Sequence, residues 1–274
     1  MDFDSQKIQY IAKKMRRNAI EIGFRAGNKN AHFAPGLSII EIMAVLYGSI
    51  MNYDTQNAQW IDRDRFILSK GHGTLGYYTA LEAVGIISKE QLFTFEENDG
   101  NLPGQPAKNP QWGIEVSSGS LGHGLGLGIG IALAGEKKNL DYKTYVLMGD
   151  GECNEGTVWE SAAAASCFNL DHLIAIVDRN NMQSDGKCET VLDMEPFVQK
   201  WEAFGWNVIS TDGHDISSLY KAFTTEFENS KPKIIIADTI KGKGISFMEN
   251  NPEWHNNHLT EDLYLQAIAE LEDV

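Results

Sequence analysis

The sequence predicts an α/β protein: a doubly wound parallel sheet flanked by helices. Five short β-branched or apolar runs stand out: "RFIL" (65–68), "TYVLM" (144–148), "HLIAIV" (172–177), "WNVIS" (206–210) and "KIIIAD" (233–238). They are separated by stretches with helical spacing, and that alternation means βαβ units around a buried parallel sheet. A third observation is the triplet Gly149-Asp150-Gly151, where an apolar run gives way to a helix. Open α/β sheets bind ligands at such strand ends.

Taken in chain order, helices are expected at 5–25 and 38–51, before the first strand, and at 74–84 after it. The segment 98–112, rich in Asn, Pro and Gly, reads as a long surface loop. Helix 121–137 carries Gly122, Gly126, Gly130 and Ala134 at every fourth position, a smooth ridge for close packing. The same glycine run satisfies no register of G-x-G-x-x-G and follows no strand, which rejects a dinucleotide fingerprint. Helices at 156–167, 195–204, 216–229 and 260–271 complete the chain. No repeat, low-complexity tract or composition break divides residues 1–274, so one domain is expected.

At 274 residues and 30.5 kDa, with 42% hydrophobic residues, the chain can bury a substantial core. Its formal charge of −15 repels phosphate backbones and anionic membranes, which argues against nucleic acid as a partner. No apolar run approaches the roughly 20 residues that cross a bilayer. The opening "MDFDSQKIQY" is acidic where a signal peptide is basic and then apolar. A cytoplasmic protein without membrane contact is expected. Cys153, Cys167 and Cys188 are odd in number and lack C-x-x-C spacing, which argues against a disulfide framework or a thiolate zinc site.

Asp150 is the residue with the most chemical content. A helix N-terminus attracts anions, whereas a carboxylate there repels a phosphate unless a cation lies between them. Asp150 therefore makes sense as a ligand for a hard metal bridging to a phosphate. Taken alone, the triplet reads better as an N-cap with turn glycines. Asn180 follows Asp150 by 30 residues, at the end of the next run, in "VDRNNMQSDG". One helix and one strand between them bring the two strand ends side by side, so an amide oxygen joins the carboxylate.

A GDG triplet followed at that distance by Asn-Asn resembles the thiamine-diphosphate signature. In order, "AHFAPGLS" (31–38), "LSKGHG" (68–73), "LPGQP" (102–106), "SSGSLGHGL" (117–125), "GDGECNEG" (149–156) and "IKGKGISFMENNPEWH" (240–255) resemble landmarks of the N-terminal, diphosphate-binding region of transketolases. The resemblance spans nearly the whole chain. It implies a split enzyme: the pyrimidine-binding and C-terminal domains, with the glutamate that activates the aminopyrimidine, would come from a second polypeptide in an α2β2 assembly. The implied reaction is reversible transfer of a two-carbon ketol unit from a ketose to an aldose.

By the same resemblance, Asp150, Asn180 and the backbone of Met182 would hold Mg2+ or Ca2+ against the diphosphate of thiamine diphosphate. Gly149, Gly151 and His72 would contact the diphosphate, and Gly119 and Leu121 the aminopyrimidine ring. His32 and His255 match residues serving substrate hydroxyls and proton transfers near the reacting carbons, His255 also contacting cofactor. Glu155 matches a glutamate of a proton relay across the dimer interface, or is a carboxylate suited to a first helical turn. Gln105 stands where the family carries histidine near the donor's hydroxyl end, and an amide bonds a hydroxyl without shuttling its proton. His123, where glutamine is common, reads as variation, and His172, His214 and His258 as structural. Alternatives are a deoxyxylulose-phosphate-synthase-like ketol or acyl transfer, and a non-catalytic regulatory remnant.

Overall fold

A computed structural model describes residues 3–29 and 31–272. Five strands form its sheet: β1 (Arg65–Leu68), β2 (Thr144–Gly149), β3 (Leu173–Arg179), β4 (Asn207–Asp212) and β5 (Lys233–Asp238). All neighbours pair parallel, in the order β1-β2-β3-β5-β4. Strand periodicity divides the core in two. Tyr145 and Leu147 face one layer, while Val146 and Met148 face the other. The first layer is covered by helices Ser5–Arg25, Ile40–Val45, Thr74–Ala83 and Ile216–Thr224, the second by Gly124–Lys138, Gly156–Cys167 and Phe197–Ala203. Helices on both faces bury every residue of β2. The doubly wound parallel sheet expected from the sequence is the fold observed. Its register pairs Gly149 with Asp178, so the carboxyl ends of β2 and β3 lie side by side.

Four helices differ from expectation. The stretch 38–51 does not form one helix: Phe33–Leu37 precedes a break at Ser38, after which Ile40–Val45 runs into a π-helical turn, Leu46–Ile50. Ser38 Oγ donates to Pro35 O at 3.1 Å and to Asp178 at 2.7 Å, a side-chain competition that interrupts helices. The glycine helix starts at Gly124 because Gly119 and Gly122 have φ of 153° and 84°, a left-handed turn. Gly122 therefore leaves the expected ridge. Helix Phe197–Ala203 begins after an extended Pro196. Helix Ile216–Thr224 ends where Thr225 turns extended and its hydroxyl bonds Lys221 O at 2.7 Å. Among the described residues no helix is long and apolar enough to cross a membrane.

Candidate active site

Asp150 ends up buried, 8% exposed, where β2 meets the short turn Gly151–Asn154. Its Oδ1 accepts the Gly151 N–H at 2.7 Å and its Oδ2 the Asn181 N–H at 2.6 Å. It thus caps its turn and ties β2 to the loop after β3. Burial, then the charge of Asp178, push its carboxyl up to about 6. Asn180 donates Nδ2 to Asp178 at 2.9 Å, and its Oδ1 accepts the Met182 N–H at 3.0 Å.

Asp150, Asn180 and Met182 line a cavity of about 140 Å³. His72, Leu121, Gly149, Gly151 and His255 line it too, as do Lys70, Glu152, Gln183 and Lys241. On the outer side of Asp150, Asn180 and Met182 a wider cavity of about 650 Å³ opens toward Arg179 and Cys188. Lys70 is 1% exposed and ion-paired with Asp178. Lys241 is 2% exposed, and burial followed by the Lys70 charge lowers its ammonium to about 8. Its Nζ donates to Gln183 O at 3.0 Å and to His255 Nδ1 at 3.0 Å. Gln183 Nε2 is buried and has no partner among the described residues.

Three histidine rings cluster here, of which His72 and His255 line the cavity. Ring centroids lie 5.1 Å apart for His72 and His255, 5.5 Å for His32 and His255, and 5.9 Å for His32 and His72. Burial, then Lys70, holds His72 well below the usual imidazole range; burial, then Lys241, lowers His32 and takes His255 to about 3. All three are neutral rings at neutral pH, each able to donate at one nitrogen and accept at the other. His32 instead lines a third cavity, of about 240 Å³, with Gln105, Lys29, Glu96 and Asn256. Gln105 lies across Gly119, its Oε1 only 2.0 Å from the point a Cβ on Gly119 would occupy. Gly119 and Gln105 are thus in contact.

One candidate stands apart. Glu155 is exposed, makes no cap bond with its helix, and packs against Gly122. His123 is exposed at the start of the glycine helix. His214 is held between Glu41, at 2.9 Å from Nδ1, and the Ile240 N–H donating to Nε2 at 2.8 Å. That pairing makes it a structural ring. Sequence reasoning missed Lys70, Lys241, Asp178 and Glu152. The lysines sit inside the "SKGHG" and "IKGKG" stretches, but a lysine is by default a solvated charge. Glu152 accepts from Ser69 Oγ, from Gly122 N at 2.8 Å and from Gly149 N at 3.1 Å, fastening the 119–122 turn to the end of β2.

Paired parallel strand ends, a buried carboxylate and amide, and two buried lysines around one cavity define a diphosphate-binding α/β domain. The family described as transketolase, thiamine diphosphate binding domain, matches residues 9–270, and the chain belongs to the transketolase family. It is 39% identical to an apulose-4-phosphate transketolase subunit of Phocaeicola vulgatus, over 98% of this chain and 95% of that protein. It is 40% identical to the 6-deoxy-6-sulfo-D-fructose transketolase subunit SqwG of Clostridium sp., over 97% and 96%. Human transketolase is 36% identical over 98% of this chain, but only 43% of the human protein is covered. The transketolase structure from Campylobacter jejuni superposes with a TM-score of 0.90 at 28% identity, over 98% of this chain and 43% of that one. The chain thus spans less than half the length of those two transketolases.

Proposed function

We propose that this chain is the diphosphate-binding subunit of a split transketolase. It would transfer a two-carbon ketol unit reversibly from a ketose donor to an aldose acceptor, in the cytoplasm, with thiamine diphosphate and Mg2+ or Ca2+. The observation that carries this reading is the convergence of Asp150 and Asn180, from paired strand ends, on a cavity bearing Lys241, His72 and His255.

The residues fit a diphosphate with its cation. Asp150 and Asn180 offer a carboxylate and an amide oxygen, and Met182 a backbone carbonyl, the hard oxygen donors such an ion takes. Gln183 Nε2 is a buried donor in the cavity wall that lacks an acceptor, and phosphate oxygens would supply one. When bound, the cofactor supplies the carbanion that carries the ketol unit. Lys241, Lys70, His72 and the backbone at Gly149 and Gly151 would hold its diphosphate, and Gly119 and Leu121 its pyrimidine end. The neutral imidazoles of His32 and His255 would hold substrate hydroxyls and move protons beside the reacting carbons, with Gln105 bonding the donor across Gly119.

The pyrimidine side and its activating glutamate we assign to a second polypeptide, in an α2β2 assembly, with Glu155 facing it. Two relatives almost fully covered by this chain are themselves named subunits, which supports the division. Both carry names of anionic ketoses, so phosphorylated and sulfonated ketoses head the donor panel. The test is ketol transfer by the chain mixed with the companion polypeptide, thiamine diphosphate and Mg2+. Activity that needs both polypeptides supports the reading; turnover by the rigorously purified single chain, or none by the mixture with any donor, refutes it.

A further inference from the structure

We propose that Asp178 is a positioning residue for the metal site, setting which end of the Asn180 amide faces the cation. The inference rests on the reading of Asp150 and Asn180 as metal ligands.

Asp178 is fully buried at the end of β3 and is paired in register with Gly149 on one side and Ala237 on the other. Its Oδ2 accepts from Asn180 Nδ2 at 2.9 Å, from Ser38 Oγ at 2.7 Å, and from the Lys70 ammonium. Its Oδ1 accepts from Thr239 Oγ1. An ionised carboxylate only accepts, so the Asn180 amide must turn its NH2 toward Asp178. A flipped amide would set one acceptor against another at a buried position, where the mismatch is costly. The carbonyl oxygen of Asn180, which accepts the Met182 N–H at 3.0 Å with one lone pair, is therefore the end that keeps a lone pair for a cation. A hard ion needs that end, since an amide NH2 has no lone pair to give.

The partners of Asp178 extend its influence. Lys70 stands two residues before His72, Thr239 two before Lys241, and Ser38 closes the segment that begins at His32. One carboxylate thus anchors four chain segments that carry the candidate site. A purely structural role, neutralising Lys70, would leave the metal requirement alone. Orienting Asn180 would not.

The experiment separates the two. On the full chain, Mn2+ is titrated at saturating thiamine diphosphate, and thiamine diphosphate binding is measured separately with metal chelated. Asp178→Asn preserves shape but can turn either its oxygen or its NH2 toward Asn180. The Mn2+ needed for half-saturation should rise roughly 10–100-fold, the usual effect of losing a partner of a metal ligand, with metal-free cofactor binding not weakened. An unaltered Mn2+ requirement, or an equal loss in both measurements, would overturn the assignment. If Asp178→Asn does not fold with Lys70 unpaired, Ser38→Ala removes one restraint and keeps the ion pair; it should raise the Mn2+ requirement severalfold, and no rise overturns the proposal. A wild-type chain with no metal-dependent cofactor binding would instead sink the metal-site reading itself.

Discussion

The Lys241 ammonium donates to His255 Nδ1 across 3.0 Å. An ammonium has donors only, so His255 accepts at Nδ1 and carries its proton at Nε2. One buried lysine thereby sets the tautomer of the His255 ring while its charge faces the cavity that both residues line. Replacing it with Met keeps the bulk and removes both effects. Lys241→Met should weaken thiamine diphosphate binding roughly 10–100-fold, the equivalent of one charge-assisted hydrogen bond of about 1.5–3 kcal/mol. Nitrogen-15 spectra of His255 should shift from a single Nε2–H form toward a mixture. Unchanged affinity and an unchanged tautomer would show Lys241 to be a bystander.

Asp150→Ala tests the proposed metal site directly. The substitution frees the Gly151 and Asn181 N–H groups but also removes a carboxylate that burial disfavours, so the fold should survive. Mg2+-dependent thiamine diphosphate binding should disappear, a loss exceeding the roughly 1.5–3 kcal/mol of a charge-assisted bond. Calorimetry on the assembled complex showing wild-type affinity would remove Asp150 from the ligand set.

These two residues also mark where sequence reading succeeded and failed. "RFIL" and "KIIIAD" match β1 and β5 end to end, because compact apolar runs bounded by polar residues leave little freedom in strand limits. The adjacency of Asp150 and Asn180 was legible from one helix and one strand between them. Lys241 was not, since nothing local distinguishes a lysine that will be buried beside a histidine 14 residues on. The break at Ser38 depends on Asp178, 140 residues away. Gly122 was placed in a helix because spacing says nothing about the sign of φ.

Gln105→His tests the contact with Gly119. An imidazole in that space would sit beside the cavity of His32 and Gln105, restoring a titratable ring where the family carries one. The kcat/KM profile should gain an inflection at or below a pH of about 6.5, the direction in which burial moves the neighbouring His32, and the ranking of donors should change. The same profile and ranking in both proteins would mean the loop only supports the fold.

Acid should destabilise the chain through its histidine cluster. His32, His72 and His255 are all lowered by burial, so the unfolded chain takes up their protons near pH 6.5 while the folded chain does not. With more protons bound in the unfolded state, stability falls as pH drops below about 6.5, and for His255 the fall continues until its folded value of about 3. His255→Gln should therefore lose less stability than wild type between pH 6.5 and 4.5 in urea titrations. Parallel pH dependences would show that His255 is free to protonate in the folded chain.

The glycine helix offers a final test, of assembly. Gly126, Gly130 and Ala134 form an exposed face beside Leu127, which is 43% exposed, whereas Gly128 faces the sheet. A Cβ on Gly128 would come within 2.5 Å of Val146 Cγ2, so Gly128→Ala should cost about 1–3 kcal/mol by overpacking. A Cβ on Gly130 would meet nothing within 4 Å. In the isolated chain Gly130→Ala should therefore stabilise, by up to about 1 kcal/mol of helix propensity. If a helix of the companion polypeptide lies against this face, its closeness depends on that missing side chain, and Gly130→Trp should weaken association more than tenfold while the isolated chain melts no lower than before. Sedimentation of the mixed polypeptides decides it: association at wild-type strength by Gly130→Trp would place the interface elsewhere on the chain.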